Sequence, residues 1–430
     1  MKAPYCYNLL AGTLLVAGFA SAQGTFTSGS TGSDGALDYS KVAAGTYTFD
    51  PTTCATAPCA FTAPLDPSGD NIFNFTTINI PLGVTVNLTN TLLRGKPVVW
   101  LASGAVTIAG SLILDGGGGA NLASFGAEWI TYRVPSQPGP GGFPGGVGAR
   151  PGTPALPGLG PGGGPVQTSV SCPDGGGGAF ATVAYGTPAG SIYGNIWTVP
   201  LIGGSGGSGG CVAPTVTATD ASGATGGAGG GAIRIVSTAS ISVTGKITAN
   251  GGGSGSGRSG GGAGGSGSGG AINLIAPVIS GNGQLTAQGG QSGGPGGNGY
   301  ILLNVPSSTY TGYVYPAPTI KGLIAPPLPT PTTVPTVTIN SVNGVNVPQP
   351  PQGAYTPPDV TINAATSVTI NITAVGVPVG TVVQLNVQSE LGPDQAISCN
   401  PLAGTLATST ATCSASFPTS VSRILASASW

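Results

Sequence analysis

The chain has 430 residues with 79 Gly, 39 Pro and no His, and its 11 basic and 12 acidic residues give a net charge of −1. Gly and β-branched residues weaken almost every long window as a helix, and the small net charge excludes the clustered cations that nucleic acid or anionic lipid needs. The hydrophobic fraction of 40% is too high for a typical disordered chain and indicates a folded, low-charge β protein.

The N-terminus has the pattern of a secretory signal. Lys2 precedes an uncharged apolar stretch from Leu9 to Ala20, and Ala22 completes a small-x-small site before Gln23. Residues 1–22 are therefore predicted to be removed, which makes the protein secreted, extracellular or displayed at the cell surface. The alternative is a membrane anchor, but the run is shorter than the roughly 20 residues of a spanning helix.

Six cysteines remain after residue 22, an even number that favours disulfides in an exported chain. Six cysteines allow 15 connectivities, and proximity in sequence favours pairing neighbours. A zinc site is the weaker alternative, because there is no His and no C-x-x-C pair. The favoured pairs are Cys54 with Cys59, Cys172 with Cys211, and Cys399 with Cys413.

An internal repeat dominates the first 323 residues. Residues 233–252 and 272–290 share alternating apolar positions, a Gly, a second apolar pair and a final Gly-Gly, and residues 99–117 match them in register. Residues 72–80 and 84–88 show the same alternation, and a partial copy begins at Gly299 and stops. Such strands bury a face only by stacking. Residues 23–323 are therefore predicted to be a right-handed parallel β-helix, a solenoid of the pectin-lyase-like kind.

Residues 116–231 interrupt this repeat with a segment dense in Gly, Pro and Ser. Long loops with little regular structure are the favoured interpretation. The alternative is packed, extended polyglycine-type helices, which resemble the glycine-rich bundles of some phage adhesin tips. Trp129, Tyr193 and Trp197 are expected to pin the segment to the solenoid flank rather than to form exposed binding platforms.

The composition changes after residue 323. Residues 324–335 form a proline-rich linker, and residues 336–430 contain short alternating runs that predict an immunoglobulin-like β-sandwich. In the last run, Ile424, Ala426, Ala428 and Trp430 share one face and are expected to be buried on that side. The predicted strands begin at Thr336, Asp359, Ser367, Thr381, Ser409 and Ser422.

Catalysis is not expected from the acidic residues of the solenoid. Glycoside hydrolysis needs two placed carboxylates, and the pattern offers no such pair; Arg234 and Lys246 also lack a nearby acidic cluster. A serine nucleophile with a His base is excluded because there is no His. The candidate carboxylates are Asp34, Asp38, Asp50, Asp66, Asp70, Asp115, Glu128, Asp174 and Asp220.

A calcium site is the one cofactor considered, and it is a weak candidate. Asp66, Asp70 and Asn71 fall within one turn, and calcium binds several oxygens from flexible acidic loops. Ordinary Asx turns explain the same residues better. No other cofactor is expected.

Several stretches resemble a family of glycine-rich exported bacterial proteins of the acidobacterial type. They include GSDGALDYS, LDPSGDNIFNFTTINIPLGVTV, PVVWLASGAVTIAGSLILDGGGG, YGNIWTVPLIGGSGGSGG and GGGAIRIVS, within about residues 25–305, and the C-terminal part is similar to immunoglobulin-like modules attached to such proteins. The resemblance implies a β-helix-like fold and export, and it transfers no catalytic residue.

Two functions follow as expectations. The first is a secreted, non-catalytic structural or adhesive protein of the cell surface or extracellular matrix. The alternative is a protein that binds or degrades carbohydrate along the solenoid. The expected partners are extracellular glycans or further copies of the chain, and neither nucleic acid nor a membrane span after cleavage of the signal.

Overall fold

The structure is a computed structural model. Its described residues form an all-β protein with almost no helix. Short 3-10 helices occur at Tyr39–Lys41, Leu122–Ser124 and Ala127–Tyr132. The structure describes residues 26–54, 59–66, 69–169, 171–183, 188–306, 308–322, 335–349, 351, 357–363, 366–390 and 394–428. The predicted signal and nearly all of the predicted linker lie outside these ranges.

The N-terminal part is a β-helix-like solenoid of short strands. Each turn of the solenoid, or rung, contributes a strand to each of three parallel sheets of six strands. In chain order the strands are β1 (Leu37–Asp38), β2 (Gly45–Thr48), β3 (Ile72–Phe75), β4 (Ile78–Ile80), β5 (Val84–Asn87), β6 (Val98–Ala102), β7 (Val106–Ile108), β8 (Ser111–Ile113), β9 (Ala232–Ser237), β10 (Ser240–Val243), β11 (Lys246–Thr248), β12 (Ala271–Ile275), β13 (Val278–Gly281), β14 (Gln284–Thr286), β15 (Tyr300–Asn304), β16 (Thr309–Tyr310), β17 (Tyr313–Tyr315) and β18 (Thr319–Lys321).

The sheets are formed by every third strand, as expected for stacked rungs. Sheet A contains β1, β4, β7, β10, β13 and β16; sheet B contains β2, β5, β8, β11, β14 and β17; sheet C contains β3, β6, β9, β12, β15 and β18. Ile241 pairs with Val106 and Ile247 with Leu112, so the register agrees with the alignment of the sequence repeats.

The solenoid extends beyond the predicted repeat at both ends. The partial copy that begins at Gly299 does not stop after one strand, because β16, β17 and β18 follow it. The first rung also contributes β1 and β2, whose short, mixed sequences gave no repeat signal. Beside them Phe49 packs against Phe73 and Trp100, with ring centroids 5.2 and 5.6 Å apart, and this aromatic cluster closes the N-terminal end of the core.

The central strands of sheet C are buried on both faces, whereas the strands of sheets A and B are mostly buried on one. β6, β9 and β12 are buried at every residue, while β5 and β7 alternate. Parallel strands covered on both faces read as continuous apolar runs. The cover of sheet C comes from the glycine-rich insertion, where Phe180 and Leu201 pack against Val99, Val236 and Ile275.

The insertion is a packed bundle rather than a set of long loops, which corrects the favoured interpretation of residues 116–231. Segments of extended chain lie side by side and bond to one another through their backbones. We call them the glycine bundle: residues 114–120, 139–149, 156–164, 175–180, 203–211, 223–231, 249–257, 261–270 and 287–299. The chain enters the bundle three times at the end of a sheet B strand, after β8, β11 and β14. It leaves the bundle each time into the next sheet C strand, which is β9, β12 or β15.

Hydrogen bonds in the bundle repeat every three residues, the period of a polyproline II-type helix. Segment 223–231 directs successive amides to different neighbours. The amides of residues 224, 227 and 230 donate to one neighbouring segment, at the carbonyls of Gly262, Gly265 and Ser268. The amides of residues 223, 226 and 229 donate to another, at the carbonyls of Ala149, Gly146 and Phe143.

Glycine is required in the bundle because the backbones are too close for a side chain. A Cβ at Gly227 would collide with the carbonyl oxygen of Gly252, and one at Gly207 with that of Gly265. Neither glycine has a positive φ, so lack of space rather than backbone conformation dictates the residue. Ser205 and Ser208 interrupt the run and are fully buried.

The C-terminal part consists of two antiparallel sheets that share one core. The strands are β19 (Thr336–Val342), β20 (Val345–Asn346), β21 (Val368–Val375), β22 (Val382–Ser389), β23 (Gln395–Pro401), β24 (Ala403–Gly404), β25 (Ser409–Ala415) and β26 (Ser422–Ala428). Sheet D has the order β20-β19-β21-β25-β24 and sheet E the order β23-β22-β26. The segment predicted as a strand from Asp359 is irregular over 357–363, while β23 lacked a predicted counterpart.

The last strand is less buried than its apolar alternation predicts. Ile424, Ala426 and Ala428 pack against the shared core but remain partly exposed, and Arg423 is the buried residue of β26. Sheet E ends at β26, so that strand has a neighbour on one side only. Trp430, the fourth residue of the predicted face, lies outside the described residues.

Candidate functional site

The six cysteines form three disulfides in the pattern that proximity favours. Cys54 joins Cys59, Cys172 joins Cys211 and Cys399 joins Cys413. The second disulfide spans 39 residues and ties Cys172, which precedes bundle segment 175–180, to the end of bundle segment 203–211. Disulfides persist in oxidising compartments such as the extracellular space, so these three indicate an oxidising environment. Within the described ranges, no helix reaches the length and apolarity of a membrane span.

The calcium candidates lie together, but their oxygens already accept hydrogen bonds from the backbone. Asp66 Oδ1 accepts from the amide of Asp70 at 3.1 Å, and Asp66 Oδ2 accepts from the amide of Asn71 at 2.8 Å. Asn71 Nδ2 donates to the carbonyl of Leu93 at 2.7 Å. Asp66 thus holds the backbone of this loop, and Asp70 Oδ1 accepts from the amide of Ile72 at 2.9 Å, which is the geometry of an Asx turn. In the described part of the chain, no three Cys, Asp or Glu side chains gather as metal ligands.

Other solenoid carboxylates also serve local structure. Asp38 Oδ1 accepts from the amide and hydroxyl of Ser40 at 3.0 and 2.7 Å and from Asn79 Nδ2 at 2.9 Å. The hydrogen bond from the Ser40 hydroxyl is the main reason that the pKa of Asp38 is below its ordinary value. Asp34 accepts from the amide of Asn74. Asp38 therefore caps a turn, and Asp34 ties the N-terminal segment to β3.

An open groove of about 1010 Å³ lies between the insertion and the C-terminal sheets. Val134 and Pro135 form one side, and Ile339 and Ile424 contribute to the other. Among the described residues that line it, Asp359 and Arg423 are the charged ones, and these include no carboxylate pair suited to glycoside hydrolysis.

A second feature is a loop, residues 192–200, that covers the outer face of sheet C. Thr198 is buried and lies over Arg234 on β9 and Asn273 on β12, which are neighbours in the sheet register. Arg234 Nη2 donates to the carbonyl of Thr198 at 3.1 Å, and Asn273 Nδ2 donates to Thr198 Oγ1 at 2.7 Å. Asn195 Oδ1 accepts from the amide of Trp197 at 2.9 Å and holds the turn. The loop is therefore fixed to the solenoid by buried polar contacts.

The exposed edge of this loop carries an aromatic side chain. Trp197 is 41% exposed, and Lys321 Nζ on β18 lies 5.1 Å from the centroid of its ring. Ile196, Val199 and Ile320 are also exposed. We call Trp197, Lys321 and these three side chains the Trp197 surface. Trp197 was expected to pin the insertion, and its exposure corrects that expectation.

Tyr193 does pin the insertion to the flank. Its ring lies 4.6 Å from that of Phe180, and its hydroxyl donates to the carbonyl of Gly203 at 2.6 Å. Tyr300 on β15 packs edge-on against Phe180 with 4.9 Å between ring centroids. The side chain of Trp129 lies outside the described part of the structure.

The Trp197 surface was not predicted because its parts are far apart in sequence. Thr198 bonds to residues 36 and 75 positions away, and the partner of Trp197 follows at position 321. The local signal was the tripeptide Ile196-Trp197-Thr198 within a glycine-rich stretch. By itself that signal predicts an anchor as readily as an exposed surface.

Comparison with known proteins found no matching family model, no matching curated protein and no matching solved structure.

Proposed function

We propose that the chain is an exported, non-catalytic structural or adhesive protein of the cell surface or extracellular matrix. The glycine bundle is the observation that carries the proposal. Its backbone amides donate to carbonyls of other segments, and its glycines pack so closely that an added Cβ would collide with a neighbouring backbone. A large insertion built in this way suits a rigid displayed body better than a mobile loop that closes on a substrate.

Export is supported by two independent features of the chain. Residues 1–22 have the pattern of a cleaved signal, and all six later cysteines are joined in disulfides. Disulfides are rare in reducing compartments. The proposed location is therefore extracellular or at the cell surface.

The proposal includes two refinements of the fold. We infer a right-handed, pectin-lyase-like β-helix, because parallel strands joined by a crossover are right-handed in about 98% of cases. We also infer an immunoglobulin-like sandwich for the C-terminal sheets, whose antiparallel strands share one core. The sandwich then serves as a spacer or docking unit beside a rigid rod.

A non-catalytic role is supported by the state of the acidic side chains. Asp34, Asp38 and Asp66 accept hydrogen bonds from neighbouring backbone amides, which suits structural caps rather than general acids. Carbohydrate binding is the second candidate function. It is favoured by the exposed Trp197 and by Tyr313 and Tyr315, which are exposed on the edge strand β17.

Fractionation of cells that express the tagged full chain tests the main proposal. We expect the protein in the medium, cell-surface or matrix fraction, without residues 1–22 and without free thiols. Recovery in the cytosol with reduced cysteines contradicts the proposal. A reducing-sugar assay over a panel of polysaccharides tests the non-catalytic role, and turnover abolished by substitution of a single Asp overturns it.

A further inference from the structure

Two cationic side chains flank the exposed loop of the Trp197 surface. Arg234 supports the loop from beneath through the carbonyl of Thr198, and Lys321 lies against the ring of Trp197. Since residues 197 and 198 are adjacent in the chain, both positive charges act on one small area of the surface.

Unlike three other arginines of the chain, Arg234 and Lys321 have no carboxylate partner among the described residues. Arg133 and Arg150 approach Asp394, and Arg258 approaches Asp220. Among the described residues, no carboxylate lies within 4 Å of Arg234 or Lys321.

Arg234 is the unusual member of the pair because it is only 6% exposed. Its described hydrogen bond goes to a neutral carbonyl. Burial lowers the pKa of its guanidinium from the ordinary value, but an arginine remains charged at neutral pH. A buried charge is screened less than one in water, so it adds to the positive potential at the Trp197 surface.

The remaining surface suits a sugar ring. An exposed indole offers a flat apolar face, and amphipathic aromatic side chains are favoured where a ligand is partly apolar and partly wet. Ile196, Val199 and Ile320 add an aliphatic rim. A sugar with a negative substituent can place its C–H groups against this apolar area while its charge approaches Lys321.

We propose that the Trp197 surface binds anionic polysaccharide, with Trp197 and its rim contacting sugar rings and Lys321 contacting a carboxylate or sulfate group. This inference rests on the proposed extracellular role and names the class of partner. An anionic membrane is less suitable, because attraction of about 1 kcal/mol for each basic residue near a lipid surface requires a larger cluster. An acidic peptide fits the cations but has no ring to lie on the indole.

Binding of defined oligosaccharides to the full oxidised chain tests this inference. Isothermal titration with a mannuronate hexamer, a sulfated hexasaccharide and neutral cellohexaose separates carboxylate, sulfate and uncharged ligands. We expect affinity at least tenfold higher for one or both anionic sugars than for cellohexaose, with weaker binding at higher salt.

Two variants locate the site, and two others serve as matched controls. Trp197→Ala and Lys321→Gln each should weaken anionic binding at least tenfold. Lys246→Gln removes an exposed lysine from β11 on sheet B, and Tyr132→Ala removes an exposed aromatic ring from the 3-10 helix Ala127–Tyr132; each should change affinity less than twofold. Thermal unfolding of every variant checks the fold. Trp197 and Lys321 are replaced in separate variants, so that the inference can still be tested with one variant if the other does not fold.

Several results would overturn the inference. They are equal affinity for neutral and anionic sugars, unchanged binding in both site variants, or equal or stronger binding to poly-glutamate or to vesicles that contain anionic lipid. The wider proposal of an extracellular role is contradicted by a different observation, which is a cytosolic protein with reduced cysteines. An extracellular protein that binds no anionic sugar overturns only this inference.

Discussion

Arg133 in the insertion and Asp394 before β23 form a buried ion pair across 261 positions of sequence, with 2.6 Å between Nη1 and Oδ2. Arg150 Nη1 lies 3.6 Å from the other carboxylate oxygen and donates to the carbonyl of Ser389 at 3.3 Å. Arg423 Nη1 donates to the carbonyl of Arg133 at 3.3 Å. The insertion and the C-terminal sheets are therefore joined by charged contacts.

Replacing Asp394 with Asn is expected to loosen this junction. Arg133 would stay buried without its counter-ion, and breaking a buried pair in this way typically costs about 3–5 kcal/mol. The measurements are small-angle scattering and amide exchange of residues 133–150, which should show a larger radius and faster exchange. Glu390→Gln is the control, because no ion pair is described for Glu390. An unchanged scattering profile contradicts the prediction.

Gly227→Ala is expected to destabilise the glycine bundle. The new methyl group would collide with the carbonyl of Gly252, and overpacking of an interior costs about 1–3 kcal/mol. Thermal unfolding followed by circular dichroism measures the loss. Gly322→Ala is the matched control, because no described atom beyond its chain neighbours lies within 4 Å of its Cβ position, and its effect should stay within about 0.5 kcal/mol. Equal losses at both positions are inconsistent with close backbone packing.

Removing the Cys172–Cys211 disulfide should weaken the bundle more than removing Cys54–Cys59. The first bridge closes a span of 39 residues and the second a span of five, and longer loops lose more chain entropy when they are closed. The paired Cys→Ser variant at 172 and 211 is expected to lose about 2–4 kcal/mol. Unfolding by denaturant compares the two paired variants, and a larger loss at 54 and 59 would contradict the prediction.

Asp38 should make a pH-dependent contribution to stability. Its lowered pKa means that folding favours the ionised carboxylate, so the contribution is present above the unfolded value of about 3.9 and disappears as pH falls through the folded value. Asp38→Ala should therefore destabilise the protein at pH 7, and its difference from the wild type should shrink below about pH 4. Asp174→Ala, at an exposed position, is the control, and a difference independent of pH excludes this role for Asp38.

Much of the solenoid could be predicted because its signal is carried by apolar side chains. Ile241, Val243 and Ile247 repeat at the same offsets as Val106, Ile108 and Leu112, and the structure pairs them in that register. β2 and β17 were missed because end rungs are covered on one side only, which lets exposed polar and aromatic residues replace the alternating aliphatic ones.

The bundle was assigned to loops because glycine has no side chain to show a period. One signal was present in the run GGSGGSGG, where Ser205 and Ser208 stand three residues apart. Both are buried, and Ser208 Oγ accepts from the amide of Gly176 at 2.8 Å. The Trp197 surface could not be predicted in the same way, since it depends on how the insertion lies across sheet C.

The three-residue hydrogen-bond period of the bundle limits how its length can change. An insertion or deletion of three residues within a segment such as 203–211 adds or removes one turn and keeps every later amide directed at its former neighbour. A change of one or two residues rotates the rest of the segment and points its amides at the wrong strand. Natural variants of these segments should therefore differ in length by multiples of three.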